Sequence, residues 1–456
     1  MANSNFLDGN EWRRCLRGTC FKRTLVVTAM TAAASALGAN VDASLTGLVQ
    51  GRPAFMAGEA QTIAPFIALV GLNASDFAVG PVQDVRIGVG AWGRVSLTGE
   101  QSAGDVDLAF ISGKVLEKRL TVTLGRQFRS GGAFRALHLD GGSVDVRLPG
   151  RLGLTVFGGA PVVPRFATVA GDAAWGARAY WRFNWDTEIG ASYFELWNRG
   201  YVARRDVGID ARTELFRRVR LSGSAVLSAL EGRLAEGDVS PIVKVSDAVE
   251  VSAFFRHTSP DLLLPRTSIL SVFAQTEQKQ GGVGVLWFPS DRLSVGIDGR
   301  LISIPNDPFG YEVVGQGTLR PTKNTRATVE AVRLGLTDNG YTRVRLAGGA
   351  TLGKLMFSLD LDGYWLDRAV NNTRHSLTAS ASARLQLPWG FDAVVSGLVA
   401  TDPFYQQRFE VIGRLIYTFR IHTKVDTKKD EPKKDDEEAS EKDAGAPKRA
   451  KVGASS

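Results

Sequence analysis

The sequence predicts an all-β protein: a closed antiparallel transmembrane β-barrel with an even number of strands, about 18–22. Runs of about ten residues alternate between apolar and polar side chains, as when Leu359 and Leu361 in residues 354–366 alternate with Asp360 and Asp362. These runs are longer than the five or six residues usual in soluble sheets. No stretch after the N-terminal region reaches the roughly 18 apolar residues of a membrane helix. A soluble β-sandwich is the alternative, and strand length argues against it.

The connections support a barrel because short turns, such as residues 216–217 and 388–390, alternate with longer links. The longer links include residues 129–142, 258–279 and 367–372. Transmembrane barrels have short periplasmic turns and long outer loops, so both ends of the mature chain should face the periplasm. Tryptophans near the predicted strand ends fit the aromatic girdles of such barrels: Trp175, Trp181, Trp185, Trp197, Trp287, Trp365 and Trp389.

The first 39 residues have the pattern of a signal peptide. A basic segment ends at Arg23, an alanine-rich apolar run covers residues 24–39, and small residues offer cleavage sites near 36–43. Cys15 and Cys20 both precede the apolar run. The mature protein should therefore contain no disulfide, no thiolate metal site and no cysteine nucleophile.

The final predicted strand, residues 408–421, carries an uninterrupted apolar face that ends in aromatic residues. This face includes Gly413, Leu415, Tyr417 and Phe419. With the alternating runs over residues 40–422, this strand resembles those of Gram-negative outer-membrane β-barrel proteins of the porin-like kind. The resemblance implies that these four residues form an insertion signal. It also implies residence in the cell outer membrane, contact with its lipid and insertion by the barrel-assembly machinery.

Residues 423–456 form a mixed-charge tail that departs from this pattern, since such chains usually stop at the closing aromatic residue. The tail lacks large apolar side chains beyond valine, so we expect it to be disordered in the periplasm. It either docks a periplasmic export or cell-wall partner or is a passive solvated segment.

Alternation assigns a set of charged side chains to the barrel lumen, because charged groups on the lipid face cost a few kcal/mol near the bilayer midplane. The set contains Arg86, Arg94, Arg178, Arg182, Arg220, Arg300, Arg343, Arg345, Arg384, Arg414, Asp298, Asp360 and Asp362. Such a lining either attracts anions or is neutralised by arginine–carboxylate pairs across neighbouring strands.

A barrel this wide needs a constriction. Residues 258–279 are the predicted source, since Leu262, Leu263 and Leu264 are too apolar for a free outer loop. The competing interpretation makes residues 267–276 another strand.

The sequence offers little for catalysis. The four histidines show no metal-ligand spacing, and the pair His138 and Asp140 is a weak candidate dyad. We predict no enzyme, no cofactor and no metal site. The net charge of +8 comes without a basic patch interleaved with aromatic residues, so we expect no nucleic-acid partner.

The expected function is a channel that passes polar, anionic solutes or an exported polymer such as an acidic polysaccharide. The arginine-rich lumen is similar in general character to polysaccharide-export barrels. A structural barrel that anchors an envelope-spanning or surface complex through its loops and tail is the alternative from another class, and an outer-membrane hydrolase ranks last.

Overall fold

The computed structural model describes residues 40–56, 59–96, 102–132, 134–163, 168–169, 171–183, 186–263, 277–401, 403 and 408–421. The predicted signal peptide and the predicted tail lie outside the described residues, as does Trp185.

Strands account for nearly all of the described chain. They are β1 (Asn40–Met56), β2 (Glu59–Ile63), β3 (Pro65–Val79), β4 (Val82–Ser96), β5 (Ala103–Val115), β6 (Leu120–Gly131), β7 (Phe134–Arg147), β8 (Leu152–Val163), β9 (Thr168–Val169), β10 (Ala173–Arg182), β11 (Glu188–Asn198), β12 (Tyr201–Leu215), β13 (Val219–Ser228), β14 (Arg233–Lys244), β15 (Val249–Thr258), β16 (Gln278–Ser290), β17 (Leu293–Ser303), β18 (Gly310–Thr322), β19 (Thr325–Gly335), β20 (Tyr341–Leu352), β21 (Leu355–Val370), β22 (Thr373–Gln386), β23 (Phe391–Thr401) and β24 (Arg408–Ile421). One α-helical turn, α1, covers Pro260–Leu263, and 3-10 turns cover Pro149–Arg151 and Pro388–Gly390. Within the described residues, no helix has the length and apolar character needed to cross a membrane.

All the strands belong to one antiparallel sheet that closes on itself. β1 pairs with β3 on one side and with β24 on the other, from Val41 opposite Ile421 to Gly51 opposite Val411. The short β2 continues the line of β3 along β1, and the short β9 extends the sheet beyond β10 along β8. The wall therefore has 22 strand positions. This confirms the predicted closed, even-stranded, antiparallel barrel, and closure leaves no unpaired edge.

One end of the barrel, here called the short-turn end, carries compact turns such as residues 80–81, 291–292 and 323–324. The other, the long-loop end, carries the connections that contain most of the gaps in the described residues. The predicted long links at residues 129–142 and 367–372 are instead hairpins with short turns. β6 ends at Gly131 and β7 begins at Phe134, and Asn371-Asn372 connects β21 to β22. The chain enters β1 and leaves β24 at the short-turn end.

The two faces of the sheet differ in chemistry. The apolar face carries large side chains that remain exposed: Val283 is 64% and Leu377 56% accessible. The polar face carries the alternate residues, including Asp298 and Asp360, which pair across strands with other polar-face positions. A soluble sheet would cover side chains such as Val283, whereas a lipid-facing wall leaves them outward.

Three neighbouring strands depart from the cylinder. Gly125, Gly141 and Gly159 lie opposite one another on β6, β7 and β8. Gly125 has φ +109°, and a Cβ on Gly141 would overlap the carbonyl oxygen of Gly158. Only glycine permits this backbone geometry and approach. Beyond this row, residues 126–132, 134–140 and 160–163 bend toward the polar face, as shown by the close approach of Gly132 to Arg178 and Asp210. We call this segment the flap.

Candidate functional site

Each residue that the sequence assigned to the lumen lies on the polar face of the sheet, judged by its cross-strand partners. Arg86 and Arg94 are on β4, Arg178 and Arg182 on β10, Arg220 on β13, Asp298 and Arg300 on β17, Arg343 and Arg345 on β20, Asp360 and Asp362 on β21, Arg384 on β22 and Arg414 on β24. The residues therefore spread around most of the wall.

The densest charge cluster spans β10, β11 and β12. Arg178 Nη2 donates to Glu188 Oε1 at 2.8 Å, and Arg178 Nε donates to Asp210 Oδ1 at 3.1 Å. Arg182 and Arg212 also reach Glu188, at 2.6 and 3.1 Å. Glu188 is only 6% accessible. Its three arginine neighbours supply the charge-assisted hydrogen bonds that this buried carboxylate needs in place of water.

A second cluster lies on β19, β20 and β21. Arg343 Nε donates to Asp362 Oδ1 at 2.9 Å, and Arg343 Nη1 donates to Glu330 Oε1 at 2.9 Å. Arg345 Nε donates to Asp360 Oδ1 at 3.0 Å. Cross-strand pairing on one face brings these charges together.

Other pairs follow the same pattern. Arg300 binds Glu312 at 2.7 Å, Arg384 binds Asp392 at 2.7 Å and Arg220 binds Glu250 at 3.1 Å. Most of the arginines assigned to the lumen, here called the arginine ladder, are thus paired with carboxylates. This is the neutralised arrangement that the sequence left open.

The remaining predicted lumen residues lie elsewhere on the polar face. Arg414 lies opposite Leu48 and Val394, and Arg94 lies opposite Ile67. Asp298 lies opposite Gly284 on β16. Arg86 is on β4, where the β4–β5 register shifts. These residues do not join the two charge clusters, so the predicted set is not one continuous site.

The flap covers part of the polar face. A Cβ on Gly132, at the flap tip, would lie 2.5 Å from Arg178 Cδ and 2.6 Å from Asp210 Oδ1. The tip therefore rests directly on the β10–β12 charge cluster.

Behind the tip, an apolar cluster joins the flap to the wall. Leu139 is fully buried, and Phe134 packs against Phe157 with ring centroids 5.0 Å apart and the ring planes tilted by 54°. Phe194 and Leu196 of β11 complete the contact. Because β6–β8 supply the flap and β10–β12 receive it, the lumen is narrowed on this side by folded backbone rather than by long side chains.

The sequence missed the flap. Its signal was the glycine pairs Gly141-Gly142 and Gly158-Gly159, which fall on adjacent strands and permit a sharp bend. The predicted constriction in residues 258–279 is described only at its ends. There Leu262 of α1 packs against Val226, a polar-face residue of β13, and Asp261 binds Arg233 at 3.0 Å. Residues 264–276, including the alternative strand, lie outside the described residues.

His138 and Asp140 do not form a dyad. His138 Nδ1 lies 3.3 Å from the carbonyl oxygen of Asp107, whereas both carboxylate oxygens of Asp140 accept from Arg126, at 2.7 and 2.8 Å. Each group is thus committed to a different partner, which leaves no base oriented toward a nucleophile. Across the described ranges, no group of three or more histidine, cysteine, aspartate or glutamate side chains could hold a metal ion.

Gly413, Leu415, Tyr417 and Phe419 lie on the apolar face of β24, in register with the apolar face of β1. Tyr417 stacks on Phe391 of β23 with centroids 4.6 Å apart. Their role as an insertion signal stays a prediction.

Comparison with known proteins adds likenesses in shape. No family model matches the chain, and no curated protein matches it. Among solved structures, the translocation pore of the P pilus usher PapC is 12% identical with a TM-score of 0.46, and the match covers 84% of this chain and 100% of that one. OccK5 (OpdH) of Pseudomonas aeruginosa is 10% identical with a TM-score of 0.42, covering 84% and 98%. A BenF-like porin from Pseudomonas fluorescens Pf-5 is 9% identical with a TM-score of 0.42, covering 84% and 99%.

At these identities and scores the likenesses carry no argument about substrate, so the architecture rests on the chain's own geometry. One antiparallel sheet of 22 strand positions closes on itself, with an exposed apolar outer face and short turns at one end. The chain has the architecture of the bacterial outer-membrane β-barrels.

Proposed function

We propose that the protein is an outer-membrane channel for small polar solutes, with a preference for anions. In this proposal the polar face lines an aqueous lumen, the apolar face contacts lipid and the short-turn end faces the periplasm. The preference for anions is expected to be weak, because much of the arginine ladder is neutralised by carboxylates.

The observation that carries the proposal is the flap resting on the β10–β12 charge cluster. Twenty-two strands about 4.8 Å apart and tilted by about 40° give a backbone radius of about 22 Å, which is too wide for wall side chains to fill. Wall strands that fold inward narrow the lumen of such a barrel without a separate plug domain. Since the flap extends for about six residues beyond the glycine row, or about 20 Å, its length is comparable to this radius.

The flap favours small solutes over an exported polymer. A bulky polysaccharide would have to pass a folded segment fixed by the buried Leu139 and by the contact of Gly132 with Arg178 and Asp210. Small solutes need no displacement of these contacts.

Planar-bilayer recording of the purified full-length protein tests the proposal. We expect discrete conductance steps and, under a potassium chloride gradient, a reversal potential that shows a modest preference for chloride. Partitioning of neutral polymers of graded size should give a cut-off well below that of a 22-strand barrel without a flap. Insertion without conductance would overturn the channel and favour an anchoring barrel, and cation selectivity would overturn the anion preference.

A further inference from the structure

A recess at the short-turn end lies far from the β10–β12 charge cluster and borders the cluster on β19, β20 and β21, whose Glu330 and Arg345 form part of its lining. It has a volume of about 640 Å³ and is formed where β18, β19, β20 and β21 approach the turn at residues 323–324. Arg320, Lys323 and Arg326 line it together. We call this site the cation recess.

The three cations of the recess have no carboxylate within ion-pair distance among the described residues. The other charges in the lining are engaged: Glu330 accepts from Arg343 at 2.9 Å, and Arg345 is paired with Asp360. This is the reverse of the ladder above, where most arginines have a carboxylate partner. The recess therefore keeps an uncompensated positive charge at one mouth of the lumen.

Small and hydroxylated residues shape the space in front of these cations. Arg326 lies opposite Gly349, which in turn lies opposite Ser358, and Thr328 lies opposite Ala347. Gly349 lines the recess without a side chain, and the hydroxyl groups of Thr328 and Ser358 are potential hydrogen-bond donors. Two guanidinium groups and one ammonium group match an anion that carries several oxygens and more than one negative charge.

We propose that the cation recess binds the phosphate group of a phosphorylated solute at the short-turn mouth of the channel. The inference deepens the proposed function, because it names the class of anion that the channel would concentrate at this mouth. The volume exceeds that of a phosphate group, so the organic part of a sugar-sized solute would fit beside it.

Calorimetric titration of the full-length protein in detergent with inorganic phosphate tests the site. We expect saturable binding that weakens as ionic strength rises, because salt screens exposed charges. The combined variant Arg320→Gln, Lys323→Gln and Arg326→Gln should weaken binding by at least about tenfold, since each contact between a cation and phosphate is a charge-assisted hydrogen bond. If that variant fails to fold, Lys323→Gln alone, in an exposed turn, should still weaken binding about threefold.

The matched control removes the same charge at the same end of the barrel but outside the recess: Arg217→Gln, Arg218→Gln and Lys354→Gln. It should change phosphate affinity by less than about twofold. Equal weakening in both combined variants would show a diffuse field and overturn the site, as would the absence of saturable binding to the unmodified protein. Saturable binding to a barrel without conductance would instead overturn the channel and leave the recess standing.

Discussion

Replacing Leu139 with aspartate should release the flap from the barrel wall. Leu139 is fully buried in the apolar cluster that holds the flap against β11. Burial of a leucine side chain contributes about 2–3 kcal/mol, and an unpaired carboxylate in the same place adds a further desolvation cost of several kcal/mol. The released flap would expose the new carboxylate to water, so the substitution shifts the docking free energy of the flap toward release by about 5 kcal/mol or more.

The expected change in conductance follows from the geometry of the flap. A flap about 20 Å long and three strands wide has an area of about 280 Å². The open cross-section of a barrel of about 22 Å backbone radius, after about 5 Å for side chains, is about 900 Å². A flap of this size lying flat across the lumen would cover about a third of it, so release should raise single-channel conductance by at most about 1.5-fold.

The matched control is Phe128→Asp, on the same hairpin. Phe128 lies opposite His138, so its side chain is on the face of the flap away from Leu139 and the wall, and it is 50% exposed. This change also introduces a carboxylate but removes no contact with the apolar cluster, so conductance should stay near that of the unmodified protein. Both variants should be compared in planar bilayers under the same salt. An unchanged conductance in Leu139→Asp, or the same rise in Phe128→Asp, would refute the assignment of the flap as the constriction.

Three further predictions concern the flap tip, a turn and the tail. Gly132→Val should raise conductance because Gly132 has φ +58° and its Cβ would meet the charge cluster, whereas Gly200→Val, at φ +77° with nothing within 4 Å, should not. A hydrogen bond from Lys244 lowers the pKa of Asp247 below its ordinary value, so this pair stabilises the turn above that pKa and the contribution is lost as pH falls through it. Lys244→Gln should move the Asp247 titration midpoint upward in an NMR titration, and an unmoved midpoint would exclude the pair. With the predicted tail interpreted as a passive solvated segment, deleting residues 424–456 should leave conductance and heat-dependent gel mobility unchanged, and a loss of either would contradict that interpretation.

Side-chain alternation was enough to predict the wall of the barrel. A strand has a period of two, so Asp360 and Asp362 had to share a face with each other and not with Leu359 or Leu361. The pairing of β21 with β20 and β22 keeps that separation. Closure of the barrel depends on a long-range pairing, in which Val41 lies opposite Ile421. It could be predicted only because a sheet within a membrane cannot leave an edge strand unpaired.

Alternation could not predict the flap, because a bend changes what each face of a strand meets. Arg126 has the parity of the apolar face, since it follows the outward Leu124 by two residues. Beyond the glycine row it binds Asp105 and Asp140 instead of facing lipid. The sequence shows the charge at Arg126 and the nearby glycines separately. Their connection depends on three strands bending together, which is a tertiary effect.

Similarly, the sequence could list the arginines but not separate paired from unpaired ones. Arg343 and Arg326 both occupy polar-face positions on adjacent strands. Arg343 has two carboxylate partners, whereas Arg326 faces Gly349. That difference arises from the strand register, which alternation alone leaves undetermined.

The flap also offers a position for selective chemical labelling. The two cysteines of the sequence are Cys15 and Cys20, so none occurs from residue 40 onward. A cysteine introduced by Ser130→Cys, two residues before the tip, would be the only thiol in that part of the chain, and this exposed position requires no displacement of Arg178 or Asp210. A reagent attached there would sit on the flap at a defined strand level, where passing molecules would modulate the ionic current. The feature that narrows the pore would then serve as the mounting point of a nanopore sensor.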